Sequence, residues 1–213
     1  MNHGTLTDVL SKIQLSGRGI SERACANIVL QLLTAINYLH SRKIWHCDFK
    51  LENVMMRLER NADSSTDIIC KLTDFGFAQV MDPNQRSNKF IGSALYLAPE
   101  MVSQQPYDSK VDIWALGVIT FIMLTSELPF SGGKQGSRRL LNDEILTKTV
   151  DLSLFDKFHD KGRPVRNFIL KCLTKNPCSR ASADELLNDP WITANSVQQR
   201  VKGEKRLDVG LNF

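Results

Sequence analysis

The chain has 213 residues, 42% hydrophobic and 23% charged, with a net charge of +4. That length and balance suit one soluble globular domain with a substantial core. The basic residues are scattered rather than massed on one helix, so the charge reads as a solvated surface and no nucleic-acid partner is expected.

The five cysteines, Cys25, Cys47, Cys70, Cys172 and Cys178, are odd in number and form no CxxC pair. This argues against a disulfide framework or zinc site and for a reducing, cytoplasmic location. The first twelve residues have no apolar h-region, so they are not expected to act as a signal peptide. The longest apolar run, Ile113 to Leu124, is too short to cross a bilayer, which needs about 20 residues. It predicts a helix buried on all sides, and no membrane partner is expected.

In chain order, Thr5 to Ile13 predicts a short helix. Ser21 can cap a second one, with Glu22 in its first turn and Ile28, Leu32, Ala35 and Leu39 forming one apolar face to about His40. Two strands are predicted, Asn53 to Leu58 and Ile68 to Leu72, separated by a polar loop from Glu59 to Asp67. Residues Asp82 to Lys89 are polar, contain Pro83 and are expected to be mobile. Asp108 or Ser109 can cap the buried helix. A flexible break follows at Pro129, Gly132, Gly133 and Gly136. Further helices are predicted at Arg139–Thr147, Pro164–Leu173 and Ser182–Leu187, the last with a capping box between Ser182 and Glu185. The tail, 193–213, is either a docked helix or a disordered end.

The chemistry is concentrated in His46-Cys47-Asp48-Phe49-Lys50-Leu51-Glu52-Asn53, then Asp74-Phe75-Gly76, then Ala98-Pro99-Glu100. This series resembles the catalytic loop, metal-binding DFG and APE motifs of eukaryotic protein kinases, with Cys for Arg and Phe for Leu in the loop. Asp112-Ile113-Trp114-Ala115-Leu116-Gly117 resembles the start of that family's central helix, and Arg180 stands where the family has an arginine paired with the APE glutamate. Tyr-Leu-His before the loop, Glu-Leu-Pro-Phe after the central helix and Pro190-Trp191-Ile192 are similar to the calcium/calmodulin-dependent group, including calcium-dependent protein kinases.

The resemblance covers residues 1–192. It implies a mainly α, protein-kinase-like fold: the C-terminal helical lobe with short β-hairpins, the N-terminal β-lobe lying outside these 213 residues, and 193–213 as a tail. It also implies ATP and Mg²⁺ as cofactors and a protein Ser/Thr hydroxyl as acceptor. Asp48 would orient the hydroxyl and take its proton, and Lys50 would steady the γ-phosphate. Asn53 and Asp74 would supply oxygen ligands for Mg²⁺. Leu6, Glu52 and Met55 fall to ATP binding, with Leu6 and Met55 as the apolar floor under adenine. Lys50 and Ser93, the latter in Gly92-Ser93-Ala94-Leu95-Tyr96, point to Ser/Thr rather than Tyr acceptors. His46, Phe75, Glu100, Asp112 and Arg180 have structural readings: a hydrophobic column anchored by Asp112, and a Glu100–Arg180 ion pair.

Three departures from the family pattern matter. No Gly-rich phosphate loop, strand lysine or partner glutamate occurs in the 213 residues; Gly132-Gly133-Lys134-Gln135-Gly136-Ser137 has the letters of a P-loop but not its order. The chain alone is therefore not expected to turn over ATP, and a partner is expected on the face a second lobe would cover. Cys47 cannot pair with a phosphate on the activation loop, where Ser87 is the obvious site, so activity should not depend on that switch; a redox role for Cys47 is the alternative. Thr5 replaces an acidic residue that would read a substrate arginine. No EF-hand loop occurs. The competing functional reading is a non-catalytic binding module.

Overall fold

The computed structural model describes residues 4–15, 20–60, 66–82, 85–89, 91–130, 132, 136–157 and 162–201. Two helices set its frame. Helix α2, Glu22–Ser41, begins where the Ser21 side chain accepts the Ala24 N–H, and its apolar face buries Ile28, Val29, Leu32, Leu33 and Ile36. Helix α4, Lys110–Thr125, is apolar on every side, and from Val111 to Thr125 only Ile122 is not buried. Each fully buried Leu, Ile or Phe of this kind contributes about 1.5–3 kcal/mol relative to exposure. The helix ends at Ser126, whose left-handed backbone (φ 59°) lets its N–H return to Ile122.

Smaller helices enclose this pair: α1 Leu6–Leu15, α3 Pro99–Val102, α5 Arg138–Thr147, α6 Arg163–Cys172, α7 Ala183–Leu187 and α8 Pro190–Val201. Gly117 permits a close approach of α4 to α6. A Cβ there would lie 2.6 Å from Cys172 Cβ of α6 and 2.9 Å from the Leu173 side chain. The capping box of α7 forms in both directions: Ser182 Oγ accepts from Glu185 N at 3.2 Å, and Ser182 N donates to Glu185 Oε2 at 2.7 Å. No helix among the described residues is long and apolar enough to cross a membrane.

Two small antiparallel sheets lie against the helices. Strands β2, Val54–Arg60, and β3, Thr66–Leu72, pair from Val54↔Leu72 to Arg60↔Thr66. Strands β1, Ile44–Trp45, and β4, Gln79–Val80, pair as Ile44↔Val80 and Trp45↔Gln79. The chain before α1 lies along β2, with a Thr5↔Met55 bridge and Met56 N–H donating to Gly4 O at 3.0 Å.

Several expectations need adjustment. The β2–β3 ladder runs past Leu58 into polar residues, because backbone pairing does not require apolar side chains at a solvent-facing hairpin end. The expected loop shrinks accordingly, and residues 61–65 lie outside the described set. Of the two cap candidates for α4, Ser109 makes no capping bond and has a helical backbone (φ −56°, ψ −19°), while Asp108 Oδ1 accepts the Lys110 N–H two residues on at 2.9 Å. Residues 133–135 of the glycine-rich break and 202–213 of the tail are outside the described residues, while α8 carries the tail's first part as helix.

The largest correction concerns 82–89. Of its described residues, Asp82, Gln85, Arg86, Asn88 and Lys89 are exposed, but Ser87 is anchored in the body of the fold. Ser87 is 4% exposed and exchanges two backbone hydrogen bonds with Tyr107, each 3.0 Å. At Ser87 local polarity misled the reading, because its backbone and hydroxyl are satisfied by Tyr107 and Gln79 rather than by water.

Candidate active site

The loop from His46 to Asn53 is positioned from below by one carboxylate. Asp112, in the first turn of α4 and 1% exposed, accepts the backbone N–H of His46 at 3.0 Å and of Cys47 at 2.9 Å. His40, near the end of α2, meets the same carboxylate at 2.8 Å. These donors satisfy a charge that burial would otherwise make costly. They also hold Cys47 in a left-handed conformation (φ 63°), one that costs a non-glycine residue about 1–2 kcal/mol. The turn swings the next residue, Asp48, to the other side of the loop.

At Asp48 the expected groups converge. Lys50 Nζ lies 2.6 Å from Oδ2 and 3.0 Å from Ser93 Oγ, and Ser93 Oγ donates to Asp48 Oδ1 at 2.9 Å. Asn53 Nδ2 donates to the Asp48 carbonyl at 2.9 Å and reaches Oδ2 at 3.3 Å. Burial opposes ionisation of Asp48, but the bonds from Lys50 and Ser93 outweigh it and hold the carboxyl below its ordinary range. Ser93 reaches this position because Gly92 (φ 99°) turns the chain tightly against the loop: a Cβ on Gly92 would lie 2.8 Å from the Cys47 carbonyl.

Asp74 follows β3 in a left-handed conformation (φ 61°) and is exposed, with Oδ1 accepting the Gly76 N–H at 3.2 Å. Thr73 links this end to the loop: its N–H and hydroxyl both donate to the Asn53 carbonyl, at 2.9 and 3.1 Å, and its carbonyl meets His46 Nε2 at 3.0 Å. The His46 ring contacts Phe75 at 5.1 Å and Phe49 at 5.9 Å between centroids. Phe75 is nonetheless half exposed, so the aromatic column has an open end.

The site offers hard oxygens at the Asp74 carboxylate and, with Asn53 Nδ2 committed to Asp48, at the Asn53 amide oxygen. Among the described residues no three His, Cys, Asp or Glu side chains converge as a metal cage. That donor set fits Mg²⁺, which keeps waters and phosphate oxygens and takes only one or two protein ligands.

The three expected ATP contacts separate. Met55 is partly exposed on β2, and Glu52 is exposed. Leu6 is 0% exposed inside the core, so it supports the floor from beneath and presents no surface to a ligand. Burial pushes the Cys47 thiol up to about 12, with the Asp112 charge adding to it; this removes the thiolate that a redox role would need.

Arg180 and Glu100 form a buried bidentate pair, Nη1–Oε1 2.7 Å and Nη2–Oε2 2.8 Å. The remaining donors of Arg180 reach the carbonyls of Thr174, Lys110 and Lys175 at 2.8, 3.0 and 3.1 Å. The pair fixes α3, and with it the chain that carries Ser93, to the helical body.

Sequence reasoning missed Thr73, Gln79, Tyr107 and the link from His40 to Asp112. His40 stood in the Tyr-Leu-His stretch and could have been found. Thr73 and Tyr107 carried no local signal, since their partners lie in other segments.

The family profile described as protein kinase domain matches residues 1–192. Mouse death-associated protein kinase 2 is 32% identical over 196 residues, covering 92% of this chain and 50% of the relative. Rabbit serine/threonine-protein kinase 17A is 30% identical over 181 residues, covering 85% and 43%. The DNA damage response protein kinase DUN1 of Saccharomyces cerevisiae is 35% identical over 182 residues, covering 80% and 34%. The chain thus spans half the length or less of these relatives.

Proposed function

The chain belongs to the protein kinase family, among its serine/threonine members, and on that premise we propose that Asp48, Lys50, Ser93, Asn53 and Asp74 carry transfer of the ATP γ-phosphate to a Ser or Thr hydroxyl of a protein. The observation that carries the proposal is the mutual bonding of Asp48, Lys50 and Ser93 at 2.6 to 3.0 Å, with Asn53 on the same carboxylate.

In the transfer, the acceptor oxygen forms a bond to the γ-phosphorus as the bond to the β-phosphate bridging oxygen breaks. The hydroxyl proton passes to Asp48. A carboxylate with a lowered pKa is a weak base, which suits a proton that moves late; its larger task is to aim the hydroxyl. Lys50 places a cation beside the same carboxylate and can meet the negative charge of the transferred group. Ser93 spans the two and closes the acceptor side. Mg²⁺, when bound, neutralises phosphate charge, and Asn53 and Asp74 are the residues that would hold it.

Met55 and Glu52 would face the nucleotide. Residues 1–192 form the lobe that bears the site, and catalysis is proposed for this lobe joined to one that covers the phosphates. The 213 residues by themselves are not expected to turn over ATP, and the half-exposed Phe75 and Phe77 lie on a face suited to such a cover. Five free cysteines support a reducing, cytoplasmic setting.

The test compares two variants with the lobe complete. Asp48→Asn should cut turnover by about 10² or more while leaving nucleotide affinity nearly unchanged, whereas Asp74→Asn should also weaken Mg²⁺-dependent nucleotide binding. Wild-type turnover in Asp48→Asn would overturn the assignment.

A further inference from the structure

Behind the catalytic loop lies a second polar cluster that phosphoryl transfer does not use. Gln79, on β4, donates from Nε2 to the Cys47 sulfur at 3.4 Å and to the Tyr107 hydroxyl at 2.9 Å. Its Oε1 accepts the Ser87 hydroxyl at 2.7 Å. Tyr107 donates onward to the Lys89 carbonyl at 3.0 Å, and the Lys89 N–H returns to Ser87 Oγ at 3.3 Å. Gln79, Ser87 and Tyr107 are 6, 4 and 2% exposed. The groups in this cluster are an amide, a thiol, an alcohol and a phenol, all uncharged.

The surrounding charges are unfavourable to an anion. The Asp112 carboxylate lies on the other side of Cys47, close enough to raise its thiol, and Asp48 acts in the same sense. Lys89 acts on Cys47 in the opposite sense, but its side chain is exposed. The exposed Arg86 pairs with Asp108 at 3.4 Å.

We propose that Gln79, Ser87, Tyr107 and Cys47 form a neutral latch that fixes β4 and residues 85–89 to the approach to α4 without phosphate, and that negative charge at Ser87 opens it. In a segment read by an arginine, a phosphate orders the loop. Here the sign is inverted. An anionic side chain at Ser87 has no proton for Gln79 Oε1 and meets it acceptor to acceptor. Turning the Gln79 amide would offer Nε2 to the anion but bring Oε1 against Tyr107 and Cys47, and Tyr107 can then donate to it only by releasing the Lys89 carbonyl. Either way the outcome is costly: a charge in a buried cluster of neutral groups, or a broken bond within the latch.

The latch also sets the geometry of the site. It joins β4, and through β1 the root of the catalytic loop, to the segment that leads to Gly92 and Ser93. Activity in this chain is therefore poised by folding rather than by a phosphate. This rests on the reading of residues 74–100 as the segment that shapes the kinase site.

The experiment is hydrogen–deuterium exchange by mass spectrometry on the full chain, without nucleotide, following peptides that cover 79–89 and, as internal control, 113–121. Ser87→Glu should raise exchange in 79–89 by roughly tenfold or more while 113–121 stays protected. Adding Gln79→Lys to Ser87→Glu should return much of the protection, because a cation then faces the charge. Unchanged or greater protection in Ser87→Glu alone would overturn the latch. Should Ser87→Glu fail to fold, Tyr107→Phe decides: loosening confined to 79–89 supports the latch, and none refutes it. No turnover is measured, so loss of the latch and loss of the catalytic assignment register separately.

Discussion

Replacing Arg180 tests how the segment that carries Ser93 is tied to the helical body. Its guanidinium spends all five N–H groups: two on Glu100 and one each on the carbonyls of Thr174, Lys110 and Lys175. The side chain is wholly enclosed and lies 5.2 Å from the centroid of the Trp114 ring. Arg180→Ala leaves Glu100, itself almost fully buried, as an unpaired charge. Breaking a buried pair from one side costs about 3–5 kcal/mol. For a chain of this size each kcal/mol moves the melting temperature by about 2–4 °C, so the expected drop is roughly 6–20 °C. Arg180→Lys keeps the charge but has three donors and no planar fork, and should fall between wild type and alanine. Glu100→Gln/Arg180→Met removes both charges together and should recover part of the loss, though not the three carbonyl contacts. Differential scanning fluorimetry of the four proteins reads the series. An Arg180→Ala melting temperature within about 2 °C of wild type would refute the argument that this pair is structurally required.

Three further outcomes are expected. Gly117→Ala places a methyl 2.6 Å from Cys172 Cβ in a packed core and should destabilise the chain by about 1–3 kcal/mol despite the better helix propensity of alanine, measurable by urea unfolding. Asp48 has a folded pKa below its ordinary 3.8, so it contributes stability that is present above that value and lost as pH falls from there through the folded pKa; Asp48→Asn should flatten part of the acid limb of a stability-versus-pH curve. Cys178 is exposed whereas burial lifts Cys47 to about 12, so iodoacetamide at pH 8 should label Cys178 in the native chain and Cys47 only after unfolding, as read by peptide mass spectrometry.

What could be read from the sequence divides along a physical line. Local signals survived. The caps at Ser21 and Ser182 and the predominantly apolar α4 follow from periodicity and short-range bonding, and each element formed within a few residues of its expected span; of the expected α2 face, Ile28 and Leu32 are buried while Ala35 and Leu39 are only partly so, with Val29, Leu33 and Ile36 buried beside them. Asp48, Lys50, Asn53 and Ser93, proposed for catalysis, could be picked out because each sits in a short motif, and the fold brings them within hydrogen-bonding distance of one another. Long-range satisfaction was not legible. Ser87 and Tyr107 are 20 residues apart in sequence and Gln79 lies on another strand, yet the three complete one another's hydrogen bonding. A polar stretch without local partners looks the same in sequence whether water or a distant tyrosine satisfies it. Leu6 failed for a related reason: an apolar residue beside a ligand floor and one beneath it have the same chemistry, and only burial separates them.

The two non-glycine residues with left-handed backbones at the site, Cys47 and Asp74, show where stability is exchanged for geometry. For Cys47 that region costs about 1–2 kcal/mol; Asp74 tolerates it better, because its short carboxylate bonds locally to the Gly76 N–H. Asp112 offsets the first cost, because its carboxylate takes both N–H groups of the strained turn and is itself anchored in the most buried helix of the fold. Beside Asp74 the restraint is Thr73, whose N–H and hydroxyl grip the Asn53 carbonyl. Both restraints converge on His46, which hangs from Asp112 by its N–H and reaches Thr73 by its ring. The two oxygen donors proposed for the metal and the carboxylate proposed for the hydroxyl are therefore held in one hydrogen-bonded frame, so a shift in α4 would move Asp48 and Asp74 together rather than apart. Their relative placement is thus protected by the same buried charge that makes the strain tolerable.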